Sequence, residues 1–290
     1  MLLLQLLING VQVGALYALI AVGFSLIFGS TKVFHFAHGA TFTIAAYIFY
    51  YLYSVTEAHW LLAVLAATAG AVAFGVFMDR CIYAPIQRHE GSFFTVFVAS
   101  LGAGIIVQNL VGMVFGRGFV SVTTPLSRSI EVLPGLYVAP LSGIAIVCAI
   151  VFFGALQLFL MRTNVGMGLR ALSENPELVR VYGLSPRRLS TIVFALGSLL
   201  VIPSAIITAA SSGLNPAMAH HIMLISLAAT IVGGVGSLRG AACAGLLLGM
   251  SENLALMYLG PQWSEAVTFI VLFLFILFRP WGFFGRPIAS

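Results

Sequence analysis

Three ionisable side chains stand inside long apolar runs of this 290-residue chain: His35 and His38 in Phe34-His-Phe-Ala-His-Gly39, and Glu252 in Gly249-Met-Ser-Glu-Asn253. A charged group at bilayer depth costs about 2.5 to 3.5 kcal/mol on insertion scales, so such residues face a protein interior or a water-filled cavity. His35 and His38 are three positions apart and share one face if the segment is helical, and Gly39 marks a break where backbone groups can face a solute. This set has two chemistries open to it. One is contact with a solute passing through the membrane, with Phe36 beside the histidines; the other is a proton or ion relay through His35, His38 and Glu252. Hydrogen bonding for packing is the plainer role for each, and for Glu252 that means pairing within the bundle.

A second set is polar. The stretch 162–189 holds Glu174-Asn175-Pro176-Glu177, then Gly183, then Arg187 and Arg188. Connections between spans are usually short, so a stretch of 28 residues with its own helical punctuation is a structured element. Asn175 suits an N-cap, Pro176 the first turn, Glu177 the positive dipole end and Gly183 the C-terminal stop. Leu178, Val181 and Tyr182 recur at helical spacing and give a seven-residue helix one apolar stripe. Such a helix is either a knob for a partner protein or a helix lying on lipid headgroups.

Catalytic signatures are missing. The single lysine, in Gly29-Ser-Thr-Lys32, lacks the glycine pattern of a phosphate loop, and there is no His-Glu-x-x-His pair or Gly-x-Ser-x-Gly elbow. Cys148 and Cys243 lie in apolar runs and Cys81 at a loop edge, which suggests neither a disulfide framework nor a metal site. The expected chain is a non-catalytic one that binds no cofactor of its own.

The elements that must position these residues are membrane spans. With 61% hydrophobic and 7% charged residues and a mean hydropathy of +1.09, the chain lacks the polar groups to cover a water-facing surface. The expected class is therefore an all-α, polytopic integral membrane bundle with some short or broken helices. Apolar runs fall at about Leu2 to Phe28, Val33 to Leu52, Trp60 to Phe77, Phe93 to Phe115, Ala139 to Met161, Ser190 to Ala210, His221 to Gly236, Gly240 to Leu259 and Ser264 to Phe278. That makes nine, with eight or ten as the bounds, in one transmembrane domain over 1–290. The first run is too long for a signal-peptide core and reads as an uncleaved span.

Twelve of the 13 basic residues are Arg, scattered between the runs, so no dense basic face for nucleic acid exists. Arg80 and Arg88, the five arginines of 162–188, and Arg279 with Arg286 in the tail all fall on one side of a nine-span path. The positive-inside rule makes that side cytoplasmic, with the C-terminus there and the N-terminus outside. Segment 116–138 is then an external loop, with Arg117 and Arg128 as exceptions. Small-residue faces such as Gly10-Val-Gln-Val-Gly14 and Gly233-Gly-Val-Gly236 let helices approach closely. Gly29 to Gly39 and Gly233 to Gly240 are candidate corresponding breaks of two halves, and the turn Ser211 to Pro216 with His220 and His221 reads as an external loop near a docking partner.

Glu177, Gly183 six residues on and Val193-Phe-Ala-Leu196 ten residues further resemble the degenerate EAA-Gly motif of ABC importer permeases. Phe34-His-Phe-Ala-His-Gly39, Gly233-Gly-Val-Gly-Ser-Leu-Arg-Gly240 and Arg279-Pro-Trp-Gly-Phe-Phe-Gly-Arg-Pro287 narrow the resemblance to the branched-chain amino acid permease family, LivH-like type. His35 stands where that family has Asn, a Pro near Arg239 is absent, and Glu174-Asn175 replaces an acidic pair. The resemblance implies a bacterial inner-membrane permease with its 174–187 element inserted in an ATPase cleft. It also implies two ATPase subunits carrying ATP and Mg, a second, LivM-like permease and a solute-binding protein. Amino acids lead as solutes, with amides, urea and carboxylates also open. The competing reading is a stand-alone secondary transporter or channel using the His and Glu relay, which gives no reason for the Asn-Pro-Glu start and Gly stop.

Overall fold

The computed structural model describes residues 1–89 and 91–285, without the side chain of Leu178. Arg286 and Pro287 of the tail motif lie outside the described residues, as does the Leu178 position of the expected stripe.

The chain opens with α1 (Leu2–Thr31), which is buried along most of its length. It ends where Lys32 turns left-handed (φ 56) and donates its backbone N–H to Phe28 O at 3.0 Å. Lys32 Nζ folds back onto Gly29 O at 2.9 Å, a cation at the negative end of the helix dipole. After a non-helical passage over 33–37 come α2 (His38–Tyr50), a π-helical turn (Tyr51–Val55), α3 (Trp60–Phe77), a second π turn (Met78–Tyr83), α4 (Ala84–Arg88) and α5 (Phe93–Phe115). Ser92 caps α5 through the Thr95 N–H, and Gly116 (φ 82) ends it.

Segment 116–138 carries a small antiparallel hairpin, β1 (Ile130–Leu133) and β2 (Leu136–Val138), with Ile130 opposite Val138. Then follow α6 (Pro140–Arg162), α7 (Asn164–Glu174), α8 (Pro176–Val181), α9 (Pro186–Ser211), α10 (Met218–Gly233), α11 (Leu238–Ala255) and α12 (Ser264–Phe278).

Each of the nine apolar runs is helical over most of its length. Among the described residues, six helices are long and apolar enough to cross a membrane. The other three are the 13-residue α2, the 16-residue α10, and α11, whose 18 residues include Arg239, Glu252 and Asn253.

α1 is the post around which α6, α9, α10 and α11 pack. Its seam with α11 is made of glycines: a Cβ on Gly14 would stand 2.7 Å from Leu246 O, and one on Gly245 would stand 2.5 Å from Ala18 N. With no side chains between them the backbones reach the close spacing on which helix association in lipid depends.

One end of the bundle gathers the arginines. Thr31, Arg80, Arg88, Arg180, Arg187 and Arg188 line one cleft there, and the 279–285 tail lies at the same end, with Phe283 N–H donating to Val232 O at 2.9 Å. The other end holds 116–138, where Gln5 pairs with the Tyr137 backbone (2.7 and 2.9 Å) and Val120 bridges to Leu214.

Two boundaries differ from the sequence expectation. The second run does not begin as a helix at Val33, because 33–37 runs back inward unwound and α2 starts only at His38. The counterpart of that break is 212–217 before α10, whereas Gly233 to Gly240 is a tight turn made by Gly234 (φ 97) and Gly236 (φ 83). α2 and α10 begin against each other and run to opposite ends: Tyr47 reaches Phe115, while the α10–α11 turn reaches Gly29.

Candidate functional site

The passage 33–39 is held from three sides. His35, fully buried, has Nδ1 2.7 Å from Tyr83 Oη, and Tyr83 donates to Ser100 Oγ at 2.7 Å. Ser100 also accepts the Ala37 N–H at 2.9 Å, which satisfies a backbone donor that the unwound chain leaves free. The neighbouring His38 donates Nε2–H to Ile20 O at 3.1 Å, so α1 holds the start of α2.

Both histidines are interior, with ring centroids 5.8 Å apart, and each has one ring nitrogen without a hydrogen-bond partner. Phe36 is turned the other way, half-buried on the outer side against His220. Gly39 permits the junction itself, because a Cβ there would overlap the Ala219 carbonyl oxygen.

Glu252 belongs to a separate network. Tyr17 Oη donates to its Oε2 at 2.9 Å and Thr268 donates to its Oε1, so both oxygens of a carboxylate only 5% exposed are met. His221 continues outward, 3.4 Å from Tyr17 Oη and 3.1 Å from Glu265 Oε1. His35 and His38 do not join Glu252 in one chain of hydrogen bonds among the described residues, so a continuous three-residue relay has no geometric support. His220 and His221, expected at the outer end of their span beside an external turn, belong to α10 at the level of Tyr17.

The polar set at the arginine-rich end folds as its punctuation implies. Asn175 Oδ1 accepts the Glu177 N–H at 2.9 Å. Gly183 (φ 75) closes the other end, donating to Arg180 O at 3.0 Å while Leu184 donates to Val179 O at 3.1 Å, the paired bonds of a Schellman stop. Between these caps α8 buries Val179 and leaves Val181 and Tyr182 80% and 81% exposed. Glu174 and Glu177 are exposed beside it, and Pro176 and Arg187 line the cleft between α4, α8 and α9, about 590 Å³ in volume.

The family model described as branched-chain amino acid transport system, permease component, matches residues 6–276. The chain belongs to this family. The permease is 30% identical to the high-affinity branched-chain amino acid transport system permease protein BraD of Pseudomonas aeruginosa, over 98% of this chain and 96% of that one. It is 28% identical to the permease protein LivH of Escherichia coli, over 98% and 96%, and 23% identical to a probable LivH of Methanocaldococcus jannaschii, over 93% and 89%. Its fold is similar to that of PsaBC from Streptococcus pneumoniae solved with a Fab, with a TM-score of 0.53 at 11% identity over 94% of this chain and 91% of that one.

In this permease three structural ties escape sequence reasoning. Asp79, buried in the second π turn, accepts from Ser190 Oγ and Thr191 Oγ1, each at 2.7 Å, and so fastens the end of α3 to the start of α9. The Tyr83–Ser100 bond, and the joint hold of Tyr17 and Thr268 on Glu252, are the others. Nothing local marks them, because each partner comes from a distant element. No group of three His, Cys, Asp or Glu able to hold a metal ion occurs among the described residues, and the three cysteines are free.

Proposed function

We propose that the chain is the transmembrane permease subunit of an ATP-driven importer for amino acids, with branched-chain and related small amino acids as solutes. Residues 1–290 act as one transmembrane domain, 162–189 as the coupling segment and 116–138 as an outer loop. It has no catalytic role. Two ATPase subunits supply ATP and Mg chemistry, a second homologous permease completes the pathway and a solute-binding protein delivers the solute on the outer side. In a bacterial inner membrane the arginine-rich end with the C-terminus is cytoplasmic and the N-terminus lies outside.

The observation that carries this reading is α8: a short helix capped at both ends that offers Val181 and Tyr182 to solvent at the arginine-rich end, in a chain of this family. In the proposed mechanism an ATPase groove grips these two side chains. Closure of the ATPases moves α8 with α7, and α9 follows. Asp79 carries the motion from α9 to α3, while the close contact of α9 with α1 at Gly197 and Gly23 makes the bundle rock as packed bodies.

The test is purification from the native membrane in mild detergent, followed by leucine uptake in vesicles. The reading expects two ATPases and a second permease in stoichiometric amounts, and uptake that requires ATP. A chain that purifies alone and moves leucine without ATP overturns it.

A further inference from the structure

α2 and α10 start at the same depth. The Ile20 carbonyl holds His38, and Tyr17 meets His221, so both starts lie at the middle of α1, a 30-residue helix of about 45 Å. Phe36 and His220 stand there ring to ring, 6.0 Å apart. A small cavity of about 30 Å³ lies beside them, lined by Phe36, Ala40, Ala219 and His220 and by Gly104 and Gln108 of α5. Gly104 is the midpoint of α5, so this cavity too is central in the bilayer.

His220 is exposed on the outside of the chain, and its ring makes no hydrogen bond among the described residues. An ionisable side chain facing hydrocarbon at the bilayer centre is costly, as is the amide of Gln108 close by. Water or a polar solute, and not lipid, is therefore the fitting neighbour for this face. The sign of charge is set as well: α2 and α10 both point their positive ends here, and no acidic side chain lines the cavity.

We propose that Phe36, Gln108 and His220 form the central constriction of the solute pathway, on the face that the second permease covers, and that His220 takes the carboxylate end of the passing amino acid. The rest of the lining, Ala40, Leu101, Gly104, Ile105 and Ala219, is apolar and suits contact with an aliphatic substituent. This chain's own share of the space is small, since 30 Å³ holds about one water and not an amino acid, so the facing permease supplies the other wall of the passage. Rocking of the bundle widens it. The proposal rests on the importer reading and adds to it where the solute is handled and by which atoms.

The test uses the complete transporter in vesicles, with Cys81, Cys148 and Cys243 changed to Ser and one cysteine introduced by His220→Cys, Gln108→Cys or, on the outward face of α12, Phe273→Cys. The probe is a charged methanethiosulfonate reagent, which needs the thiolate and therefore water. The expected result is reaction of the first two at least about tenfold faster than Phe273→Cys, with leucine and ATP changing that rate. If His220→Cys reacts no faster than Phe273→Cys while the cysteine-free parent still imports leucine with ATP, the pathway runs elsewhere and only this inference falls. If the parent imports nothing with ATP, the importer reading falls and this inference with it. In the native chain, His220→Ala is expected to lower maximal leucine uptake about tenfold at unchanged complex yield, with partial rescue in His220→Gln. Full uptake by His220→Ala would equally overturn the proposal.

Discussion

Gly14 of α1 and Gly249 of α11 touch through their backbones alone, since a Cβ built on Gly249 would occupy the space of the Gly14 Cα and N. Gly249→Val therefore forces the central seam apart. Overpacking of this kind costs about 1 to 3 kcal/mol, so the purified protein should unfold in detergent at a clearly lower temperature. Gly154→Ala on α6, where a Cβ would meet nothing within 4 Å, should not lower the melting temperature.

Asp79→Ala leaves the hydroxyls of Ser190 and Thr191 without their shared acceptor. Both donors are part-buried at the rim of the arginine-lined cleft and Thr191 keeps the Arg187 carbonyl as acceptor, so the cost is about 1 kcal/mol, and the tie between α3 and α9 is lost. The expected phenotype is a lower melting temperature together with slower leucine uptake at normal ATPase recruitment. Equal uptake would show that α9 moves α3 by packing alone.

Tyr17→Phe removes one of the two donors to the buried Glu252 without changing shape. A bond to a carboxylate is worth about 1.5 to 3 kcal/mol, so a thermal shift of that size is expected, and Glu252→Gln, which keeps one oxygen acceptor, should be milder than Glu252→Leu. Identical melting for Glu252→Leu and the parent would remove the structural role assigned to this network.

How much of this was legible in the sequence differs by element. The spans were, because apolar length is sufficient to place a helix in lipid. So was α8, because Asn175, Pro176 and Gly183 act on their own neighbours. The unwinding over 33–37 was not: the apolar run is continuous there, and the break depends on Ser100, 63 residues away, meeting the Ala37 N–H. The depth of His220 and His221 was not legible for the same reason, since nothing in Ser211 to Pro216 tells that the chain turns back in. His35 and His38 were identified as buried ionisable groups, but which face of the break looked outward, Phe36 and not the histidines, is decided by Tyr83 and Ile20.

Gly183→Val places a β-branched residue at φ 75, where the left-handed conformation costs roughly 1 to 2 kcal/mol. The Schellman bonds that aim Val181 and Tyr182 weaken, while the spans are untouched. Membrane insertion should be normal, and the number of leucine molecules moved per ATP hydrolysed in vesicles should fall. An unchanged ratio would mean that the stop of α8 plays no part in coupling.

The central claim is that the exposed tip of α8 is what the ATPases grip, and the most direct measurement is the amount of ATPase that co-purifies with the permease carrying Val181→Asp and Tyr182→Asp. Both side chains are free of the core, at 80% and 81% exposure, so the bundle should fold and the second permease should still co-purify. The account predicts that the ATPases are lost and that ATP-dependent leucine uptake is lost with them. ATPases retained in parental stoichiometry, with parental uptake, would contradict it.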